Sequence, residues 1–337
     1  MSMKDVAESA GVSISTVTRA LNNKGYVDAQ TRQHVLAHAR KVQYFPNRAA
    51  RNLRLAKSTE IAMVTWSMDE LHVNKMKGLA EVLGSADYTL EIVFGADEKA
   101  LADQSPNATG QTWPPTLLNE LITRRPAGVV LLARLPWEDE EVARSLQANR
   151  IPYVVINSFS TQVDNVGINR SQGIYDAVLY LAETGRKSIG YFGLADSRSR
   201  LDGYERACAA LNRPPLIIPA PLASDGFSLG RAAAREVAAM HPRPDAIQAF
   251  TDEHALGLLA GFHDLGLAVP REIALVGFDD RRAASLSWPR LTTVAQPGEE
   301  IGRVAADILL RKIRGENAPA DGWSRMLPTR LVIRESA

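Results

Sequence analysis

Residues 3–22 read Met3-Lys-Asp-Val-Ala-Glu-Ser-Ala-Gly-Val-Ser-Ile-Ser-Thr-Val-Thr-Arg-Ala-Leu-Asn22. Two short helices around one tight turn account for this stretch. Val6, Ala7 and Ala10 form an inward stripe on the first helix, and Val17 and Leu21 form one on the second. Gly11 stands where the chain must reverse, because glycine accepts a positive φ without steric cost. Ser13 is an N-cap for a helix opening at Ile14, and Ser2 with Asp5 caps the first helix. A helix-turn-helix of this kind lays its second helix in the DNA major groove, with the N-terminal residues towards the base edges. Ser15, Thr16, Thr18 and Arg19 then line the outward face, and arginine suits that role because its fork reaches guanine O6 and N7 together.

Charge distribution points the same way. The whole chain carries 39 basic and 38 acidic side chains, close to neutral. Residues 1–57 alone hold ten Lys or Arg against Asp5, Glu8 and Asp28, whereas the remaining 280 residues carry 29 basic and 35 acidic groups. A small basic module on an acidic body is the footprint of a phosphate-binding head on a regulatory or catalytic trunk.

With 337 residues, 45% of them hydrophobic, the chain can fill two or three cores. No apolar run approaches the roughly 20 residues of a membrane helix and no signal-peptide pattern opens the chain, so a soluble, cytoplasmic, nucleoid-associated protein is expected. The lone Cys208 excludes an internal disulfide and reads as a helix-packing residue. Residues 28–42 predict a third helix capped by Asp28, with Val35, Ala39 and Val42 closing a three-helix core. His34 and His38 are four apart on it; without an acidic or thiol partner they read as solvent-facing, and no metal or cofactor is expected. After Pro46, Asn47 caps a short helix, Arg48-Ala-Ala-Arg-Asn-Leu-Arg-Leu, with Arg48, Arg51 and Leu55 on one face. Eight residues are too few for a stable isolated helix, so this one is expected to order only on docking.

From Ile61 the period changes. Strand-like runs 61–65, 89–94, 128–132 and 153–156 alternate with helical patterns 71–84, 116–124 and 138–149. A second series follows, with strands 188–192, 216–218, 246–250 and 273–276 among helices 170–184, 199–211, 226–240 and 252–265. The alternation predicts two doubly wound parallel-sheet units, with residues 95–115 as an irregular excursion from the first. Ligands bind such sheets beyond the carboxyl ends of the strands, so two facing units imply a cleft.

At this level of detail the chain resembles the LacI/GalR family of transcriptional regulators along essentially its whole length. The head carries Met3-Lys-Asp-Val-Ala, Ala10-Gly-Val-Ser, Thr16-Val-Thr-Arg19 and Leu21-Asn, followed by Tyr44-Phe-Pro-Asn-Arg48-Ala-Ala-Arg51. The trunk carries Ile151-Pro-Tyr-Val-Val-Ile, Gly185-Arg-Lys-Ser-Ile-Gly-Tyr-Phe-Gly193, Arg200-Leu-Asp-Gly-Tyr204, Val276-Gly-Phe-Asp-Asp280 and Leu291-Thr-Thr-Val-Ala-Gln-Pro297. The resemblance implies an all-α helix-turn-helix head on an α/β core of two periplasmic-binding-protein-like subdomains. The implied division is head 1–45, hinge helix and linker 46–57, first subdomain 58–156 with 293–323, and second subdomain 157–292 with 324–337. Crossings are implied near Asn157, near Leu291 and near a C-terminal strand at 325–333, with the helix at 298–314 in the first subdomain.

The same resemblance implies a homodimer reading a near-palindromic operator in double-stranded DNA. Ile14, Ser15 and Arg19 match base-reading positions and Thr16 a phosphate contact, with Thr18 and Asn22 on the same helix. Leu53 matches the leucine that paired hinge helices wedge into the minor groove, flanked here by Arg48, Arg51 and Arg54. An apolar wedge between arginines is how proteins kink DNA from that groove. In the cleft, Arg200 and Asp279 match ligand-gripping positions, and Trp66, Asn157, Ser158 and Thr251 match lining positions. A fork and a carboxylate across a cleft suit vicinal hydroxyls or a polar ring. A sugar or sugar derivative is the leading effector class, with a purine, nucleoside or protein co-effector as the alternative. Effector binding would change the subdomain angle and melt or order the hinge, an order–disorder switch.

Two other classes compete. An enzyme needs a catalytic constellation, and the sequence holds no Gly-x-Ser-x-Gly elbow, phosphate-binding glycine loop or metal-ligand cluster. The Asp279-Asp280 pair imitates an acid/base dyad, but neighbours at a strand end point in opposite directions. A solute-binding protein would share the trunk but carry an export signal in place of a basic head.

Overall fold

The structure, a computed structural model, describes residues 1–22, 25–44, 58–95, 115–132, 136–158, 160–193, 198–220 and 225–337. The expected hinge helix, with Arg48, Arg51, Leu53 and Arg54, lies outside the described residues. The chain divides into two units, Met1–Ser58 and Thr59–Ala337.

In the first unit, helix α1 (Met3–Ala10) is capped as the sequence indicates. Ser2 accepts from the Asp5 amide while the Asp5 carboxylate accepts from the Ser2 amide, and Gly11 adopts φ 63° in the left-handed region. Helix α2 (Ile14–Asn22) opens on Ser13, whose Oγ accepts from the Thr16 amide at 3.1 Å. Helix α3 (Ala29–Lys41) is capped by Asp28. Val6, Ala7, Ala10, Val17, Ala20, Val35 and Ala39 make the core between them. His34 is exposed, as expected, whereas His38 is half-buried. His34 Nε2 bonds the Ala10 carbonyl at 3.0 Å and His38 Nδ1 meets Ser9 Oγ at 2.9 Å, so both pin α3 to α1.

The second unit contains two six-stranded sheets. The first joins β1 (Glu60–Thr65), β2 (Thr89–Phe94), β3 (Gly128–Leu132), β4 (Tyr153–Ile156), β5 (Asn165–Ile168) and β11 (Arg325–Leu327) in the order β2-β1-β3-β4-β5-β11, all parallel. The second joins β6 (Ile189–Gly193), β7 (Leu216–Pro219), β8 (Ala246–Ala249), β9 (Ala274–Asp279), β10 (Thr292–Ala295) and β12 (Arg330–Val332) as β7-β6-β8-β9-β10-β12, with only β12 antiparallel. Their inner strands are buried nearly throughout, as parallel strands covered on both faces must be, while the edge strands β2, β7, β11 and β12 are partly exposed. The helices are α4 (Glu70–Ser85), α5 (Pro115–Arg124), α6 (Pro136–Ala148), α7 (Arg170–Glu183), α8 (Arg198–Ala210), α9 (Gly226–Ala239), α10 (Asp252–Asp264), the short α11 (Arg282–Leu286) and α12 (Gly298–Ile313).

Strand pairing moves the expected boundaries at 156/157, 292/293 and 323/324. Residues 165–168 pair with β4, so the chain leaves the first sheet after Ile168. Residues 292–295 pair with β9, so it leaves the second only after Ala295. The C-terminal segment expected as one strand splits: β11 joins the first sheet and β12 the second. Helix α12 packs on α4, β3 and β4, in the first subdomain as expected. The physical reason for the shift is that hydrophobic pattern marks a strand but not its neighbour. Asn165 and Gly167 also interrupt the apolar run that would have revealed β5.

Candidate DNA-reading surface and effector cleft

In the head, Ile14 is 50% exposed at the start of α2, and Ser15 and Arg19 are exposed beside it. Ser13 Oγ also meets Ser15 Oγ at 2.7 Å and Thr16 Oγ1 at 2.9 Å, which fixes the hydroxyl cluster at the helix N-terminus. Arg19 lies along Gly25, where an added Cβ would come within 3.4 Å of its Cδ. Thr18 differs from the outward reading. It is half-buried, and its hydroxyl donates to the Ile14 carbonyl at 2.8 Å and faces Met3 Sδ. The side chain of Asn22 lies outside the described residues.

In the second unit the predicted residues sit at strand carboxyl ends. Asp279 closes β9 and is buried with φ 118°, followed by Asp280 at φ 55°. Two consecutive left-handed non-glycine residues store strain that aims adjacent side chains apart. Asp280 accepts from Arg334 at 2.6 Å, while Asp279 accepts from Gln296 Nε2 and faces Arg200 and Arg281 at 3.9 Å each. The pair is therefore one cleft carboxylate and one strand-tethering carboxylate.

Arg200, 8% exposed, lies between the rings of Phe250 and Phe278, at 4.3 and 4.6 Å from their centroids. The aromatic faces stabilise a cation that is cut off from water. Burial pulls its pKa down and Asp279 opposes that fall; burial in turn pushes the Asp279 carboxyl up, against the pull of Arg200 and Gln296. Arg200 Nε, Tyr191 Oη, Gln296 Oε1 and Asn157 Oδ1 are buried without a hydrogen-bond partner among the described residues. Buried polar groups are normally satisfied, and three of these gather around Arg200 and Asp279, namely Arg200 Nε, Tyr191 Oη and Gln296 Oε1, which points to a polar molecule that completes them.

Other lining residues have structural work. Thr251 caps α10, with its hydroxyl on the His254 amide and at 2.8 Å from His254 Nδ1. His254 is drawn down to about 4 by burial and by Arg200, so it stays neutral at pH 7. Ser158 forms a turn with Asn165, whose Oδ1 accepts from the Ser158 amide at 2.9 Å. Asn157, just beyond β4, has φ 64°. Trp66, just beyond β1, packs half-buried with the Val64, Leu117 and Leu131 cluster, and a Cβ on Gly95 would collide with its ring.

The sequence reading missed Gln296, Lys75 and Tyr191. Gln296 lay within a quoted motif without a role, and its distance from Asp279 in the chain gave no hint of contact. Asp252, directly after Thr251, opens α10 and is fully buried. Burial beside Asp279 pushes it to about 8, and it is bound by Thr293 Oγ1 and the Arg281 amide. Across the cleft, Arg281 donates to Asp69 at 2.8 Å and the Arg282 amide reaches Glu70. A separate cavity of about 440 Å³ opens at the opposite, amino ends of the second sheet, beside the buried Cys208. Burial pushes that thiol's pKa up, consistent with a packing role.

Among the described residues no group of three or more potential metal ligands occurs, and no helix is long and apolar enough to cross a membrane.

A helix-turn-helix head joined to paired sheets with a polar cleft is the architecture of a ligand-responsive transcription regulator, and comparison with known proteins agrees. Residues 2–47 match the bacterial regulatory proteins of the lacI family, and residues 178–337 match the periplasmic binding protein-like domain. The HTH-type transcriptional repressor CytR of Escherichia coli K12 is 31% identical over 345 residues, covering 99% of this chain and 95% of that one. Catabolite control protein A of Priestia megaterium is 27% identical over 340 residues, covering 98% of each. Among solved structures, the Lac repressor bound to ONPG superposes with TM-score 0.80 at 23% identity, over 100% of this chain and 99% of that one. A CelR–cellobiose complex superposes with TM-score 0.69 at 25% identity over 100% of both. The chain belongs to the LacI family and is a DNA-binding transcription regulator.

Proposed function

We propose that the protein is a cytoplasmic repressor that binds a near-palindromic operator as a homodimer and changes operator affinity when a sugar or sugar derivative enters the cleft. Ile14, Ser15 and Arg19 read bases, and Thr16 contacts phosphate. Leu53 wedges the minor groove with Arg48, Arg51 and Arg54 on the flanking backbone. Arg200, Asp279, Gln296 and Asn157 hold the effector, with Trp66, Ser158 and Thr251 at its margin. The observation that carries this reading is the buried Arg200–Asp279 pair, 3.9 Å apart, with Arg200 held between two aromatic faces and with unsatisfied polar atoms beside it. Charge-assisted hydrogen bonds from a fork and a carboxylate suit a polyol. The relative whose structure contains cellobiose supports the sugar class.

The test is operator selection from random DNA followed by gel shift with and without sugars. Arg19→Ala should lose operator discrimination and keep effector binding; loss of both together would point to a misfolded protein. Leu53→Ala should weaken specific binding more than non-specific binding. Wild-type bending by that variant would overturn the wedge.

A further inference from the structure

Helix α4 carries a lysine where its neighbours are core residues. Lys75 is 4% exposed, on the buried face with Gly78, Leu79 and Leu83. Among the described residues its ammonium has no hydrogen-bond or ion-pair partner. The carboxylates that act on it are Asp69 and Asp279, and both are engaged elsewhere. Asp69 is bound by Arg281 and by His72, and Asp279 by Gln296 with two arginines at 3.9 Å. Asp252, pushed to about 8, brings little negative charge at neutral pH. Arg170 and Arg281 add further positive charge around the ammonium.

An ammonium on a lysine this enclosed, with no carboxylate ion-paired to it, is unfavourable, and a fold keeps one where a ligand brings the counter-charge. Asp69 caps α4, and Arg281 spans from it at 2.8 Å to Asp279 at 3.9 Å, so the first turns of α4, Lys75 among them, lie beside the carboxylate that Arg200 and Gln296 also face. The unsatisfied Arg200 Nε belongs to the same group.

Resting on the reading of this cleft as the effector site, we propose that the effector is a sugar acid, with its carboxylate bound by Lys75 and Arg200 and its hydroxyls by Asp279 and Gln296. One ammonium without a partner calls for one negative charge. A carboxylate supplies that, whereas a phosphate monoester carries roughly 1.5 to 2 charges at pH 7.

The test is titration calorimetry on the full chain with gluconate, galacturonate, glucose, galactose and glucose 6-phosphate, alongside thermal melts. A sugar acid should bind the wild type, and Lys75→Met should weaken it about 10- to 100-fold, the range for a charged hydrogen bond. Lys75→Arg should restore part of that loss. Free Lys75→Met protein should melt at or above the wild-type temperature, because an uncompensated charge has been removed. A neutral sugar that binds wild type and Lys75→Met equally would overturn the proposal while leaving the cleft reading intact, provided Arg200→Ala abolishes it. Tighter binding of the phosphate ester than of either acid would overturn the carboxylate assignment, and so would failure of both acids to bind. A ligand that binds Arg200→Ala as well as wild type would remove the cleft reading itself.

Discussion

Arg200 and Asp279 illustrate how a residue becomes functional through what surrounds it. Both were legible in the sequence through the resemblance to the LacI/GalR family, whose ligand-gripping positions they match. Replacing Arg200 by Ala removes the fork and leaves Asp279 with Arg281 and Gln296 as partners. Effector affinity should fall about 100-fold or more, whereas Arg200→Lys, which keeps charge but loses the planar fork, should fall about tenfold. Equal affinity of wild type and Arg200→Ala by calorimetry would remove Arg200 from the site. Asp252 offers a pH test. Its ordinary carboxyl pKa is 3.8 and in the fold it rises to about 8, so the native state holds an extra proton across that window. Its stabilising contribution is complete below about pH 4 and is lost as pH rises through 8. The wild-type advantage over Asp252→Asn in denaturant unfolding should therefore shrink steadily from pH 4 to 8, and a flat difference would mean an ionised Asp252. His254, whose pKa moves the other way, is common to both proteins and cancels. Lys75 and Gln296 were less legible. A lysine in an amphipathic helix reads as solvent-facing until the packing of that helix is known, and a glutamine after a strand reads as a turn. Thr251 and Ser158 carry a second load that the sequence did not reveal, a helix cap and a turn, which employ the same polar atoms that a ligand would.

At the scale of elements, glycine sets how closely helices approach. A Cβ on Gly302 of α12 would lie 2.0 Å from the Lys75 carbonyl oxygen of α4, and one on Gly78 would lie 1.9 Å from the Glu299 carbonyl oxygen in return. Helices α9 and α10 repeat the device with Gly230 against the His254 carbonyl and Gly257 against that of Phe227. Since the opposing atom is backbone, it cannot rotate away. Gly302→Ala should destabilise the second unit by about 1–3 kcal/mol, the usual effect of overpacking. Gly84→Ala is the matched control: it lies in α4 with nothing within 4 Å of a new Cβ. It should stabilise by about 0.5–1 kcal/mol through helix propensity. Thermal melts of the two variants should move in opposite directions; a common direction would sink the packing argument. Helix limits were readable at this scale because caps such as Ser2, Ser13 and Asp28 are local chemistry. Sheet membership was not. Strand β5 is four residues with a polar start and a central glycine, and β11 and β12 are three residues each, so only pairing reveals where they belong.

For the second unit as a whole, the two sheets share one strand order, and the chain passes between them after β5, after β10 and between β11 and β12. Three covalent passages leave the subdomains free to rock only so far as non-covalent bridges allow. Two such bridges join the start of α4 to the start of α11, 212 residues apart: Arg281 to Asp69 at 2.8 Å, and the Arg282 amide to the Glu70 carboxylate at 3.0 Å. That separation explains why the sequence suggested a cleft but not what fastens it. The Arg282 amide bonds across the cleft, whereas the Arg281 amide bonds Asp252 within its own subdomain at 2.7 Å. Hydrogen exchange at these two neighbouring amides therefore separates cleft opening from local fraying. Asp69→Asn keeps the cap of α4, since asparagine caps as well as aspartate, but removes the charge that Arg281 meets. Because the pair is partly solvated, with side chains 19% and 32% exposed, its worth is discounted to about 0.5–1 kcal/mol. Exchange at the Arg282 amide should then quicken about two- to fivefold in Asp69→Asn, with the Arg281 amide unchanged. Equal acceleration at both would mean that α11 unravels locally, and no change at either would mean that this ion pair does not hold the cleft.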